Sequence, residues 1–224
     1  MKFPLFTSLL PAFYLMLAPV VHAHSVWIES DPEGKMMVRF GEWGDEVEKS
    51  PGHLDGLAVF SAWNLGGDGK ISPWAIQKKS DHFLLSSDVT SPSMDACAEA
   101  AYMVLAAPGK TARKPLFYAR WHRGAAAAVN AALTFDIVPT GQPGEVKVYF
   151  RRSPLAGVKI TVHVPGAPDQ EITTDSNGAA HFEGSKKGLY LLTCSHQRES
   201  TPGYSEGVAY DQVSHNCSLA WLMP

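Results

Sequence analysis

Apolar and polar residues alternate with a period of two along much of the chain, the pattern of β-strands that turn one face to a core. Residues 24–29, 36–40, 57–64, 74–77, 82–86 and 102–107 read as short strands rich in β-branched or aromatic side chains. Farther on, Val146, Val148 and Phe150 alternate with Lys147, Tyr149 and Arg151, and Val158, Ile160 and Val162 alternate with Lys159, Thr161 and His163. Asn177-Gly178 suits a tight turn that needs positive φ, and Ala180 and Phe182 resume the alternation behind it. Residues 113–129 carry two conflicting signals: Tyr118 to Trp121 alternates like a strand, whereas Ala125–Ala128 favours helix. The pattern predicts an all-β protein of two antiparallel, sandwich-like domains, at 24–140 and 141–224, the second immunoglobulin- or transthyretin-like. Pro139 to Gly144 is the expected corner between them.

The first 23 residues break this pattern. Lys2 is followed by an apolar run from Phe3 to Val21, which ends in Val21-His22-Ala23. A run of that length is close to the ~20 residues that span a bilayer. Its small residue before His24 and the lack of a basic flank read instead as a secretory signal removed after Ala23. No later segment is apolar enough to span a membrane, so the mature chain is expected to be periplasmic or secreted without a transmembrane segment. Cleavage there would leave His24 with a free α-amine beside its imidazole, a chelate suited to copper(II) or nickel(II).

The last two predicted strands, 188–196 and 213–221, contain a register of their own. If Cys194 faces Cys217 across an antiparallel ladder, then Leu192 faces Leu219, Tyr190 faces Trp221 and His196 faces His215. The other face pairs Leu191 with Ala220, Thr193 with Ser218 and Ser195 with Asn216. In an oxidising compartment Cys194 and Cys217 are disulfide candidates, leaving Cys97 as the odd thiol. His196 and His215 would project together as a ligand pair, with Glu199, Glu206 and Asp211 in the intervening loop as carboxylate partners. Structural stacking of the two rings is the alternative. The alternation turns His163 and His181 toward solvent, and it places none of His53, His82 and His122.

Composition narrows the chemistry. At 18% charged residues and net charge −3, the chain has no basic block for nucleic acid. It lacks a Gly-x-Ser-x-Gly elbow, a phosphate-binding glycine loop, a His-Glu-x-x-His helix and a Cys-x-x-Cys pair, so no catalytic residue is assigned. Gly66 to Gly69 is a turn without the spaced acids of a calcium loop.

Several segments look like parts of one family. Ala23-His24-Ser25-Val26-Trp27-Ile28-Glu29 resembles the mature start of a bacterial secreted family of unknown function, often labelled a nickel- or cobalt-uptake periplasmic component. Leu133 to Pro139, Val148-Tyr149-Phe150, Ser153 to Val158, Thr174 to Gly178, Gly188-Leu189-Tyr190 and the loop between His196 and His215 extend the resemblance in order. It implies a periplasmic β protein that handles a transition metal (copper, nickel or cobalt) through His24, His196 and His215. A membrane transporter or an outer-membrane receptor would be its partner. Some relatives carry a C-terminal membrane helix, and this chain ends at Leu222-Met223-Pro224 without one. Two other functions stay open: an envelope interaction module without metal, and a copper mono-oxygenase built on the N-terminal chelate. Intact mass and N-terminal sequencing of the exported protein should give a chain that begins at His24 and is two hydrogens lighter than its fully reduced form. A chain that retains Met1 would remove the α-amine from any site.

Overall fold

The computed structural model describes residues 24–66, 70–86, 95–124, 128–184 and 187–224. The expected signal segment, residues 67–69 of the glycine turn and residues 125–127 of the alanine run lie outside the described residues, as does the His196 side chain. The fold is nearly all β, with several antiparallel sheets in a sandwich-like arrangement, as the alternation predicts. Among the described residues the helical content is a 3-10 turn at His53–Gly56.

An eight-stranded sheet forms the centre. Its order is Gln170–Thr173, Lys159–His163, Gly188–Glu199, Gln212–Met223, Arg113–Arg123, Asp95–Tyr102, Leu57–Leu65 and Ile71–Pro73. It takes strands from both sides of residue 140. Neighbours are antiparallel except Gln212–Met223 and Arg113–Arg123, which run parallel along their whole shared length, from Gln212 opposite Arg113 to Leu222 opposite Arg123. Both faces of its middle strands are covered, so those strands must be apolar on both sides. One face carries Ala62, Ala96, Ala98, Ala100, Phe117, Ala119, Trp121, Leu191 and Ala220. These pack against Val26, Ile28, Val38, Phe40 and Phe83 of a four-stranded sheet ordered Ser25–Ser30, Met36–Gly41, Phe83–Ser86 and Ala75–Lys78. The opposite face carries Cys97, Tyr118, Ile160, Val162, Tyr190, Leu192, Leu219 and Trp221. It packs against Phe135, Ile137, Val146, Val148 and Ala180 of a sheet built on Phe135–Pro139, Glu145–Phe150, Ser153–Pro154 and Ala179–His181.

One predicted strand is displaced in three dimensions, and one open segment is decided. The strand expected at 102–107 lies at Asp95–Tyr102 instead. Its alanines have low β propensity, but Ala96, Ala98 and Ala100 let the four-stranded sheet approach closely, and each is about 1% exposed. The ambiguous stretch after Arg113 is an eleven-residue central strand, held by pairing on both edges. Tyr118 to Trp121, which alternates like a strand, lies within it, whereas residues 125–127 of the helix-favouring run lie outside the described residues.

The predicted hairpin register holds from Tyr190–Trp221 through Cys194–Cys217. Beyond the cysteines the register shifts, and His215 faces Gln197 rather than His196. An extra residue in the first strand inserts at this irregularity, which also undoes the expected Ser195–Asn216 pairing. Cys194 and Cys217 lie opposite one another as buried free thiols, and Cys97 is a third. Burial pushes the Cys97 thiol up to about 12.

Charge is also buried in the central sheet. Arg120, fully covered, donates Nε and Nη2 to the two oxygens of Asp136 at 2.9 and 2.7 Å, and Nη1 to Asp95 at 3.1 Å. Asp136 also accepts the backbone N–H groups of Ala132 and Leu133. The Asp95 carboxylate reaches His122 Nδ1 at 3.1 Å. Such a network holds because each charge keeps a partner. Replacing Asp136 by Asn should cost about 3–5 kcal/mol, because the Arg120 guanidinium then stays buried without its bidentate carboxylate. A urea unfolding midpoint unchanged from wild type would refute this.

Candidate metal centre

His24 stands directly before the strand Ser25–Ser30, whose first residue pairs with Gly41. The chain after Gly41 turns back sharply: Val47 bridges to Gly41, and Glu48 N–H donates to the Phe40 carbonyl at 2.8 Å. This return sets Glu48 beside His24. Gly41 makes it possible, since at φ +147° a Cβ there would lie 2.5 Å from the Glu46 carbonyl oxygen.

His53 arrives by a second turn. After Ser50-Pro51, Gly52 sits at φ +153° and the 3-10 turn begins at His53. Asp55 closes the turn by accepting Ser50 Oγ at 2.7 Å and Gly52 N–H at 2.9 Å, while Lys78 Nζ reaches it at 2.6 Å. These donors hold the Asp55 carboxyl below its usual range, the Lys78 contact most of all. Leu54, fully buried in the core, anchors the turn from below.

The result is a cluster of His24, Glu48 and His53. His24 Nε2 bonds Glu48 Oε1, and His53 Nδ1 meets the same oxygen at 3.1 Å. One donor atom from each residue lies within 4.8 Å of the other two. Ligand atoms on opposite sides of one ion at about 2.0–2.2 Å are about 4 Å apart, so small side-chain rotations would bring all three into one coordination sphere. Burial pushes the Glu48 carboxyl up, but the hydrogen bonds from His53 and His24 outweigh it and hold the group below its ordinary value. The His24 ring rests 5.3 Å from Phe40, which fixes its base, and its side chain is 40% exposed. His53 is 70% exposed, so solvent has open access to the two imidazoles.

Of the expected ligands whose side chains are described, His24 and His215, the structure brings His24 to this cluster. His215 lies across the central sheet. Its neighbours are Tyr118 and Phe150 on one face, while His24 packs near Phe40 on the other. Tyr118 Oη lies 3.0 Å from His215 Nδ1, and Glu199 Oε2 lies 3.2 Å from His215 Nε2. Arg151 completes the chain at Glu199 with a 2.6 Å contact. Both ring nitrogens of His215 are therefore occupied by protein partners, and its side chain is 5% exposed. Glu199 therefore lies beside His215, whereas Glu206 and Asp211 are exposed. His163 is mostly covered and pairs with Asp169 at 2.9 Å, where the alternation had pointed it to solvent.

The sequence reading missed Glu48 and His53. Their signal is a carboxylate and an imidazole that flank Ser50-Pro51-Gly52, a strong turn sequence that brings both ends together. A cavity of about 380 Å³ opens beside the cluster, with His24, Ser25 and Trp43 on one side and the uncovered end of the central sheet as its floor. No helix among the described residues is long and apolar enough to cross a membrane.

Comparison with protein-family models, with curated proteins and with solved structures finds no match for this chain. The metal-uptake resemblance therefore rests on the sequence motifs alone.

Burial depresses the protonation of His215, against the pull of Glu199. The folded pKa lies below the ordinary 6.5, so the unfolded chain takes up the proton first as pH falls. Stability should be intact above pH 6.5 and decline as pH drops through the folded value. Urea unfolding followed against pH should give a shallower decline for His215→Gln than for wild type over that window. Equal slopes would contradict the assignment.

Proposed function

We propose that the exported chain binds a divalent first-row transition metal of the copper, nickel and cobalt group, with His24, Glu48 and His53 as ligands. The meeting of two imidazoles and a carboxylate at one point is the observation that carries this reading. Imidazole suits these ions, and a carboxylate between two of them supplies the negative charge that a dication needs. Removal of residues 1–23 would add the His24 α-amine next to the ring, and a copper(II) or nickel(II) site of mostly nitrogen donors follows. The role is that of a periplasmic or secreted carrier that hands the ion to a membrane transporter or outer-membrane receptor. Two exposed ligands support a carrier, because an ion held at the surface can be passed on. In that oxidising compartment Cys194 and Cys217 would close as a disulfide, since they already face one another on the ladder.

Titration of the protein beginning at His24 with nickel(II) or copper(II) should show one saturable site at micromolar affinity or tighter. His53→Ala should weaken it at least tenfold, and so should one extra residue before His24. His215→Gln should leave it unchanged. Binding indifferent to both the His53 change and the extension would overturn the site.

A further inference from the structure

Three neighbouring strands of the central sheet bring a second set of polar side chains together. Arg198 stands opposite Ser214, and Gln212, two residues before Ser214, stands opposite Arg113. Directly opposed residues share a face of a sheet, and so do residues two apart on one strand. Arg198, Ser214, Gln212 and Arg113 therefore rise from one face, with Ser214 and Gln212 on the strand between the two arginines. Neighbouring strands lie about 4.8 Å apart, so an arginine backbone flanks the middle strand at about that distance on each side.

This set consists of donors without an acceptor. Ser214 is fully covered, and its Oγ has no hydrogen-bond partner. A buried hydroxyl left in that state is unfavourable. Arg198 is exposed and Arg113 half-buried, and among the described residues neither guanidinium has a hydrogen-bond or ion-pair partner. Burial, and after it the like charge of Arg198, push the Arg113 guanidinium below its ordinary value. The acids nearest in sequence do not relieve this. Glu199 turns to the opposite face, where it holds His215 and Arg151, and Asp211 is exposed ahead of the strand. Two arginines placed beside an unpaired buried hydroxyl are the complement of an anion with several oxygens.

We propose that Arg113, Arg198, Gln212 and Ser214 form a binding site for a tetrahedral oxyanion of the sulfate or phosphate class. Its two negative charges match the two guanidiniums. Its four oxygens point in different directions, so separate oxygens meet a fork from each side and the hydroxyl and amide of the middle strand. A monocarboxylate brings one charge and two oxygens in one plane, and leaves a guanidinium unmatched. Arg198 is exposed and held by no partner, so its side chain is free to swing aside and admit the ion to Ser214 Oγ. The site shares no residue with His24, Glu48 and His53, and it stands whether or not a metal binds there.

Calorimetric titration of the exported chain with sodium sulfate at low ionic strength should show one saturable site in the millimolar range or tighter. Arg113→Gln and Arg198→Gln should each weaken it at least fivefold. Arg123→Gln, exposed at the far end of the same strand as Arg113, should weaken it less than twofold. Acetate should bind at least tenfold more weakly than sulfate. Ser214→Ala gives a second readout: it should weaken sulfate at least threefold yet raise the urea midpoint of the anion-free protein, because it deletes a hydroxyl with no partner there. Glycerol phosphate, compared with inorganic phosphate, tells an esterified ligand from a free ion, and binding of either supports the site. Absence of a saturable sulfate site, equal weakening by Arg113→Gln and Arg123→Gln, acetate binding as tight as sulfate, or a lowered midpoint for Ser214→Ala would overturn it.

Discussion

The middle of the central sheet is buried on both faces, and most of the molecule follows from that constraint. A strand covered on one side can place any polar residue on the other, but here the middle strands meet a second layer above and below. The strands at Arg113–Arg123 and Gln212–Met223 carry the heaviest demand, since they also bury both edges against neighbours. Their alternate side chains feed two separate cores: Phe117, Ala119, Trp121 and Ala220 toward the four-stranded sheet, and Tyr118, Leu219 and Trp221 toward the other. Small residues dominate one face and large ones the other, which fixes the spacing of the layers. A buried charge is stable there when it is paired, and Arg120, Asp136, Asp95 and His122 form one bonded set.

The same constraint sorts the histidines. His215 and His122 fall on buried faces and are held by Tyr118, Glu199 and Asp95. Their nitrogens serve the fold. His24 and His53 fall at the rim, where the four-stranded sheet begins and a 3-10 turn ends a loop, and they keep access to solvent. Ligand chemistry needs donors that are positioned yet reachable, and the rim meets both conditions. Phe40 and Leu54 position these two residues from beneath without covering them.

Where the four-stranded sheet stops short of the central sheet's edge, an uncovered floor remains beside His24. That floor keeps polar side chains because no layer covers it. The His24 cluster and the cavity are therefore neighbours for a topological reason: both sit at the border of one layer. Gly41 and Gly52 shape that border, since each lets the backbone pass closer than a Cβ would allow.

Strand alternation was legible because a period of two is a local property, and so were the all-β class and the hairpin register up to Cys194–Cys217. The turn at Asn177-Gly178 was legible for the same reason. The irregularity after Cys194 was not. One inserted residue leaves no mark in the alternation, yet it replaces His196 by Gln197 opposite His215. Nor could the sequence tell which of two alternating faces meets which layer, so His24 and His215 looked compatible while lying on opposite sides of the sheet. The chain alone therefore determined the elements and singled out His24, whereas the layer order brought Glu48 and His53 to it. Local sterics write the first into neighbouring residues, and the second arises only when distant strands exclude water together.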